Sequence, residues 1–551
     1  MNSWLKSGQP WIWLNAGAVS VSLIMVFGLM LLIGVRGLSY FWPSNVIDAT
    51  YVTPSGESKR VIGEIDSVET IPRVQAANSG YQFEPGKEEL TRYLLKTGNR
   101  DVTGADFQMA FADYIKDITY PDDLMVAERH EWGNFYGFLL QVKENGQVVA
   151  EGEQARAELE KRLERSTALH ERIQEIQKDE IGAINYQMEQ LRLEKRELEL
   201  ENELTAEAEQ NIAERRQALT DRYEVLKNKM AELFKQNQRD SVQVKTMSGR
   251  ELEIPMAKMV RVYYPNDMGV IEKTGFYFAK VWEFVSDEPR EANTEGGIFP
   301  AIFGTVMMVL IMSVLVTPFG VIAAIYLREY ATQGPIIRTI RIAVNNLAGV
   351  PSIVYGVFGL GFFVYFLGGN IDQLFFPEAL PAPTFGTPGI MWSSLTLALL
   401  TLPVVIVSTE EGLSRIPRSI REGSLALGAT KAETLWRTII PMASPAMMTG
   451  LILAVARAAG EVAPLMLVGV VKLAPNLPLD GNFPYLHLER KFMHLGFHIY
   501  DVGFQSPNVE AARPLVYATS LLLILVIVAL NLSAIHIRNR LREKYRALEG
   551  G

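Results

Sequence analysis

The sequence predicts a polytopic α-helical membrane protein with six transmembrane helices and a large α+β insert outside the membrane. Six apolar segments are each long enough to cross a bilayer core of about 30 Å, which takes roughly 20 helical residues. A polar stretch, residues 44–297, separates the first apolar segment from the second. Within it, residues 151–238 contain no Pro and are rich in Glu, Lys, Arg and Leu, a composition typical of a coiled coil.

The predicted spans lie near residues 14–35, 299–326, 346–367, 389–409, 445–470 and 514–535. The first is too long for a cleaved signal peptide, and no small-residue cleavage site follows it. We expect residues 1–43 to form a cytoplasmic N-terminus and the first span. We expect residues 298–537 to form a transmembrane core with a cytoplasmic loop at 410–444, followed by a basic cytoplasmic tail, 538–551.

The distribution of charge predicts the orientation of the spans. The net charge of −9 combines −15 on residues 44–297, from 33 Lys and Arg against 48 Asp and Glu, with +6 on the remainder. Cytoplasmic connections carry an excess of Lys and Arg, and such residues follow spans two, four and six, whereas residues 369–387 have none. We therefore expect both termini to be cytoplasmic and the insert to lie outside, in the periplasm if the cell has two membranes. The tail cations are Arg538, Arg540, Arg542, Lys544 and Arg546.

The insert is predicted to have two parts. Residues 50–147 and 241–265 show strand-like alternation with turn signals, and residues 151–238 between them show helical periodicity. Because strand-like sequence resumes on both sides, we expect an antiparallel helical hairpin on a β-rich base. Such a hairpin serves either as a solvated spacer or as a docking arm for a periplasmic partner, and the sequence leaves both open. Its apolar positions include Leu159, Leu163, Ile173, Ile176, Met188, Leu191 and Leu198.

Residues 421–441, REGSLALGATKAETLWRTIIP, predict two short helices between two spans. Gly428 suits the left-handed position after a helix end. Thr430 and Glu433 have the spacing of a capping box. The apolar positions predicted to share one helical face are Leu425, Ala429, Ala432, Trp436 and Ile439. Membrane flanks argue against a DNA-reading helix-turn-helix, and the internal turn argues against a simple interfacial helix. We therefore expect a protein-docking loop.

The fifth predicted span contains two ionisable residues, Arg457 and Glu461, four positions apart. This spacing places them on one helical face. Charges at membrane depth usually face a pathway or a partner, and a guanidinium fork matches the geometry of an oxyanion. The pair is therefore a candidate for the substrate pathway. The alternative is an internal ion pair that only fixes helix packing.

A second candidate is the segment 345–356, NNLAGVPSIVYG, placed at the start of the third span. Discontinuous helices leave helix termini available to bind ions. Asn345, Asn346, Pro351 and Ser352 are therefore candidates for a gate or kink. Packing irregularity would explain the same residues.

Several function classes are excluded or disfavoured. The chain has no Cys, so disulfides and thiolate metal sites are excluded. It has no G-x-x-x-x-G-K-[ST] phosphate loop, so we expect neither enzymatic nucleotide hydrolysis nor a cofactor bound by this chain. His494 and His498 are the nearest histidine pair, without an H-E-x-x-H pattern, and we interpret the histidines as surface residues rather than metal ligands. No nucleic-acid partner is expected.

The loop resembles the EAA motif of ABC-transporter permeases. Glu422, Gly428 and Pro441 stand at the intervals of that motif, while Gly423-Ser424 replace its two alanines. Thr438 and Ile440 replace its isoleucine and leucine. Together with LAGVPSIVYG and ARAAGEVAPL, the loop resembles the PstA-type permeases of phosphate importers, over about residues 296–537. Some long members of this family have a similar N-terminal extension.

The resemblance implies a complex. A second homologous permease, an ATPase dimer that holds ATP and magnesium, and a periplasmic phosphate-binding protein would surround this chain in the lipid membrane. Glu422, Gly428, Ala429 and Pro441 would couple it to the ATPase, and Arg457 and Glu461 would line the anion route. Inorganic phosphate would then cross by alternating access. The alternatives are import of another oxyanion (phosphonate, sulfate or molybdate) or a membrane-tethered coiled-coil scaffold or sensor.

Overall fold

The structure, a computed structural model, describes residues 7–76, 79–86, 88–290, 293–506 and 509–549, with side chains omitted at 509–511 and 544–549. The predicted tail residues Lys544 and Arg546 therefore have side chains outside the described part. The chain forms two compact units. The membrane unit comprises Met1–Tyr40 and Ile298–Gly551, and the insert comprises Phe41–Gly297.

The prediction of six membrane spans is confirmed. Among the described residues, six helices are long and apolar enough to cross a bilayer: Gln9–Ser39, Phe299–Tyr330, Ser352–Phe375, Ile390–Ser414, Lys431–Gly460 and Ala512–Glu543. Shorter helices of the membrane unit are Pro335–Leu347, Arg418–Ala426, Leu465–Val468 and Leu495–Tyr500. The sixth span belongs to the longer helix Val509–Glu549.

Two spans differ in their bounds from the sequence prediction. The third starts at Ser352 rather than at 346, because Pro351 is the N-cap and the chain before it belongs to the separate helix Pro335–Leu347. The helix that contains the fifth span covers 431–460, so it begins within the loop and ends before the predicted 470. The helix ends at Gly460, and the next residue, Glu461, has an extended backbone with φ −80° and ψ 136°.

Small residues let the spans of the membrane unit approach one another closely. A Cβ atom at Gly450 of span five would lie 2.7 Å from Cβ of Ser408 in span four, and one at Gly412 would lie 2.4 Å from Cβ of Ala446. Gly320 of span two faces Val405 in the same way. Backbones brought this close gain van der Waals contact where lipid supplies no hydrophobic driving force.

Two large antiparallel sheets form the base of the insert. The described part holds a five-stranded sheet in the order β4-β3-β2-β1-β5 and a six-stranded sheet in the order β10-β9-β7-β6-β11, with β8 paired to β7. Their strands are β1 Val46–Val52, β2 Ser58–Pro72, β3 Glu89–Lys96, β4 Phe107–Phe111, β5 Ile115–Thr119, β6 Leu124–Arg129, β7 Phe135–Glu144, β8 Gln147–Glu151, β9 Asp240–Lys245, β10 Glu251–Pro255 and β11 Met259–Tyr263. The insert ends with helix Val270–Ser286 and the short pair β12 Pro289–Arg290 and β13 Glu295–Gly296.

An antiparallel helical hairpin rises between β8 and β9, as predicted. Its first arm runs through Glu153–Glu175, a wide π turn at Ile176–Ile181 and Gly182–Glu201, and its second arm is Ala206–Asn237. Ser166 bonds to Asn237 near the base and Lys195 to Glu209 towards the tip, so the arms are antiparallel. The tip is Asn202, whose φ of 59° reverses the chain.

The apolar positions of the first arm have two different roles. Leu159 and Leu163 belong to the core of the six-stranded sheet, together with Met125 and Val244. Farther along, Ile176, Ile184 and Leu226 form the seam between the two arms. The periodicity predicted the helix but did not separate these roles.

Candidate functional site

Arg457 and Glu461 are paired, but not on one continuous helix. Nε of Arg457 lies 3.6 Å from Oε1 of Glu461. Arg457 is in the last turn of the fifth span, whereas Glu461 caps its end in extended conformation. The predicted placement of both residues on one helical face is therefore wrong, because the helix stops at Gly460 instead of continuing towards Pro464. The carboxylate of Glu461 thus lies beside the guanidinium of Arg457 although Glu461 is outside the helix.

The pair faces the open side of its helix. Ala454, Ala458 and Ala459 are fully buried on the packed side. The side chains of Arg457 and Glu461 are 32% and 21% exposed. Within the described residues, Glu461 is the only carboxylate within 4.0 Å of Arg457, and the terminal nitrogens of the guanidinium make no hydrogen bond there. These nitrogens are donors that an incoming oxyanion can use.

The segment after Glu461 packs against the start of the third span. Pro464 begins the short helix Leu465–Val468, and Gly356 lies against its backbone. The hydroxyl of Tyr355 donates to the carbonyl of Leu347 at 2.6 Å, across the break that precedes the third span. Two interrupted helices therefore meet beside the charged pair.

The four gate candidates are divided between two elements. Asn345 and Asn346 lie in the last turn of helix Pro335–Leu347, not inside a span as predicted. Pro351 and Ser352 cap and begin the third span. Asn345 lines a cavity together with Arg341 and Glu410, whose ion pair measures 2.6 Å. The sequence analysis missed that pair, because its members are distant in the chain.

The docking loop has the predicted turn and cap. Helix Arg418–Ala426 ends before Gly428, whose φ is +88°. Thr430 Oγ1 accepts from the backbone N–H of Glu433, and the Glu433 carboxylate accepts from the N–H of Thr430, which completes the capping box. Glu422 is exposed on the first helix, Ala429 follows the turn, and Pro441 stands in the first turn of the helix that continues to Gly460.

The prediction of one shared apolar face in the loop is wrong. Trp436 is 71% exposed, whereas Ile439 is fully buried. Gly428 reverses the chain, and the π turn Leu435–Ile439 changes the residue period, so a simple 3.6-residue count fails across both. The exposed apolar side chains are instead Leu425, Leu427 and Trp436, with Leu427 exposed at 91%.

Arg421 attaches the loop to the ends of two spans. Its Nη2 lies 2.9 Å from Oε1 of Glu329 at the end of span two and donates to the carbonyl of Leu413 in span four. Lys431 donates to the backbone carbonyl of Glu329. The loop is therefore linked by polar contacts to the ends of both spans. Glu329 was missed, since one carboxylate far along the chain has no motif to mark it.

The interpretation of His494 and His498 as surface residues is wrong. They are 1% and 2% exposed, in the connection between spans five and six. Nδ1 of His494 accepts from the N–H of Gly496, and burial lowers the pKa of His494 to about 3. No group of three or more His, Asp or Glu suited to a metal occurs among the described residues.

The family model for binding-protein-dependent transport system inner membrane components matches residues 316–546. The matched range begins after the insert. The phosphate transport system permease protein PstA of Mycobacterium leprae is 34% identical over 225 residues, which are 40% of this chain and 68% of that protein. The chain belongs to the PstA-type family of ABC-importer permeases. PstA 1 of Mycobacterium tuberculosis (strain H37Rv) is 35% identical to this permease over 245 residues, 44% of the permease and 70% of the relative.

The permease also has a likeness to solved transporters. It aligns with the inward-facing MetNI methionine ABC transporter at 17% identity and a TM-score of 0.33, over 44% of this chain and 94% of that one. Membership of the family makes this chain a transporter subunit of the inner membrane rather than an enzyme. It also implies ATPase and substrate-binding partners of the importer class.

Proposed function

We propose that the permease moves inorganic phosphate across the inner membrane by alternating access. In this proposal a separate ATPase dimer holds ATP and magnesium, a second homologous permease completes the pathway, and a periplasmic phosphate-binding protein delivers the anion. Both termini are cytoplasmic and the insert is periplasmic. The relatives named for phosphate transport support this substrate.

The observation that carries the proposal is the Arg457–Glu461 pair. The contact between the two side chains, Nε of Arg457 to Oε1 of Glu461, measures 3.6 Å and is longer than a hydrogen bond, so the terminal guanidinium nitrogens remain for a ligand. A guanidinium keeps its charge at any working pH. Residual exposure of 32% makes it accessible from the open side of the span. A partly exposed, single-Arg site favours transient rather than tight binding, which conduction requires.

Glu461 can discriminate among oxyanions by whether they carry a proton. A carboxylate accepts a hydrogen bond from a protonated oxyanion, such as hydrogen phosphate, and repels one that carries no proton. Sulfate has no proton at neutral pH, so the same pair disfavours it. Molybdate is likewise unprotonated at neutral pH and is disfavoured in the same way, so phosphonate is the remaining oxyanion alternative.

The docking loop supports coupling to a separate ATPase. Leu425, Leu427 and Trp436 are three large apolar side chains that this segment leaves exposed. Arg421 joins this segment to Glu329 and to span four. We propose that the loop Glu422–Pro441, with Gly428 and Ala429 at its turn, seats on the ATPase and transmits its closure to the spans.

The test is phosphate uptake into proteoliposomes that contain the complete complex. We expect Arg457→Gln to abolish uptake while the complex still assembles, because the substitution removes the charge and roughly keeps the length. Arg540→Gln, on the exposed end of the last helix, is the matched control and should transport normally. Normal uptake by Arg457→Gln would refute the pathway role.

Competition in the same vesicles tests the substrate. Unlabelled phosphate should suppress uptake of labelled phosphate, and sulfate should not. Inhibition by sulfate without inhibition by phosphate would overturn the substrate assignment and leave the family membership intact. Glu461→Gln should reduce the discrimination against sulfate, because it removes the repulsive charge.

A further inference from the structure

Helix Val270–Ser286 of the insert has an apolar outer stripe. Ile271, Phe278 and Trp282 are 88%, 66% and 71% exposed. With Gly275 they follow spacings of four, three and four residues, which places all four within a narrow sector of one helical face. Large apolar side chains grouped in this way on a folded unit mark an interaction surface.

The inner face of the same helix carries the charges. Lys280 pairs with Glu128 of β6 at 2.6 Å, and Glu283 pairs with Arg261 of β11 at 3.1 Å and with Arg290 at 2.8 Å. Glu283 is almost fully buried. The helix is therefore fixed to its sheet by buried ion pairs while its apolar side faces outwards. An ordinary surface helix is polar on the side that this helix leaves apolar.

Ring contacts tie this helix to the chain leaving the first span. The ring of Phe41 lies 6.2 Å from that of Tyr277 and 5.1 Å from that of Phe284. Trp42 also lies 6.2 Å from Tyr277. Phe41 follows Ser39, the last residue of the first span, by two positions, and consecutive Cα atoms are about 3.8 Å apart, so it stays within roughly 8 Å of the span end.

We propose that helix Val270–Ser286 lies in the lipid–water interface of the membrane, with Ile271, Phe278 and Trp282 inserted among the acyl chains and headgroups. Trp and Tyr are the residues that concentrate at this depth. An amphipathic helix with Trp and Phe on its apolar face lies in the plane of the interface. Continuity with the end of a membrane span favours lipid over a protein partner, because the covalent chain already holds Phe41 and Trp42 at the bilayer boundary.

The permease has no native Cys, which allows the proposal to be tested with single labels. Ile271→Cys, Phe278→Cys and Trp282→Cys would each be labelled with an environment-sensitive fluorophore in the full chain, reconstituted in lipid nanodiscs. Val225→Cys, on the second arm of the hairpin and 66% exposed like Phe278, is the matched control. Quenching by iodide in water and by spin-labelled lipid is then compared.

In nanodiscs that contain this chain alone, we expect the three stripe labels to show blue-shifted emission, quenching by the lipid probe and protection from iodide. The label at Val225 should show the reverse. Stripe labels that behave like Val225 overturn the proposal. Protection that appears only when the second permease is added, without lipid quenching, also overturns it and assigns the stripe to a protein contact. Using three positions keeps the test decisive if one substitution impairs folding.

Discussion

Gly356 of the third span packs directly on the backbone of Pro464. A Cβ atom at position 356 would lie 2.7 Å from Cα of Pro464 and 2.9 Å from its carbonyl oxygen. Backbone atoms at this distance have little freedom to move aside. This contact joins the break after Glu461 to the break before Ser352, so it fixes the surroundings of the charged pair.

Gly356→Ala should therefore destabilise the permease. Overpacking of a well-packed contact typically costs about 1–3 kcal/mol. The measurement is the thermal unfolding midpoint of the full chain in detergent, followed by uptake in proteoliposomes. Gly361→Ala is the control in the same span, since no atom lies within 4 Å of a Cβ there. Equal midpoints for the two variants would contradict the packing argument.

Gly428→Val should weaken association with the ATPase. The φ of +88° at Gly428 is unfavourable for any residue with a Cβ, and a β-branched side chain tolerates it least. A left-handed conformation costs an L-residue about 1–2 kcal/mol, so the turn should distort. Co-purification of the ATPase with the tagged permease measures the effect. Gly182→Val, in the helical hairpin of the insert and with open space around it, should retain the ATPase. Wild-type recovery with Gly428→Val would count against docking through this turn.

Removing the distal hairpin distinguishes a transporter from a scaffold. Deleting all of 151–238 would also remove Leu159 and Leu163 from the sheet core. Replacing residues 174–229 by a short Gly-Ser linker keeps those contacts and the Ser166–Asn237 hydrogen bond. Phosphate uptake should persist in this variant. The control is the full-length chain with the same linker inserted after Asn202. Complete loss of uptake from a correctly assembled complex would favour the scaffold hypothesis.

Glu283 should make the stability of the insert depend on pH. Burial raises its pKa, but the charges of Lys280, Arg261 and Arg290 outweigh burial and hold the pKa at about 2. A depressed pKa stabilises the folded state above the ordinary carboxyl pKa and loses that contribution as pH falls through the folded value. At neutral pH the contribution is on the order of 3 kcal/mol.

Glu283→Gln should therefore unfold at lower urea concentration at pH 7. The difference from the wild type should shrink as the pH falls from about 4.5 towards 2, since the wild-type carboxylate then becomes protonated. Tryptophan fluorescence of the full chain in detergent follows the transition. Glu131→Gln, an exposed residue in the loop after β6, should show no such difference. A pH-independent gap for Glu283→Gln would refute the charge argument.

Local patterns predicted those features that depend on neighbouring residues. Apolar length predicted six spans, because every backbone group in lipid must be satisfied within its own helix. The left-handed turn at Gly428 and the Thr430–Glu433 cap were also predicted, since each is formed within a few residues. The helical hairpin followed from composition and from the strand-like sequence on both sides.

Contacts between distant residues were not predictable in this way. Glu329 and Arg421 are 92 positions apart, and Gly356 and Pro464 are more than 100 apart. The buried state of His494 and the exposed state of Trp436 depend on which helices pack beside them. Periodicity gives the faces of an element but does not state which face meets another element.

The sequence by itself determined the six spans and the family to which the chain belongs. It also determined that Arg457 and Glu461 are four residues apart. Only the tertiary structure decided that the helix ends between these two residues, so that Glu461 is extended while still 3.6 Å from Arg457. It also decided that helix Val270–Ser286 turns its charges inwards. The physical reason is that local sequence gives the faces of a helix, whereas the elements packed against it determine which of those faces is covered.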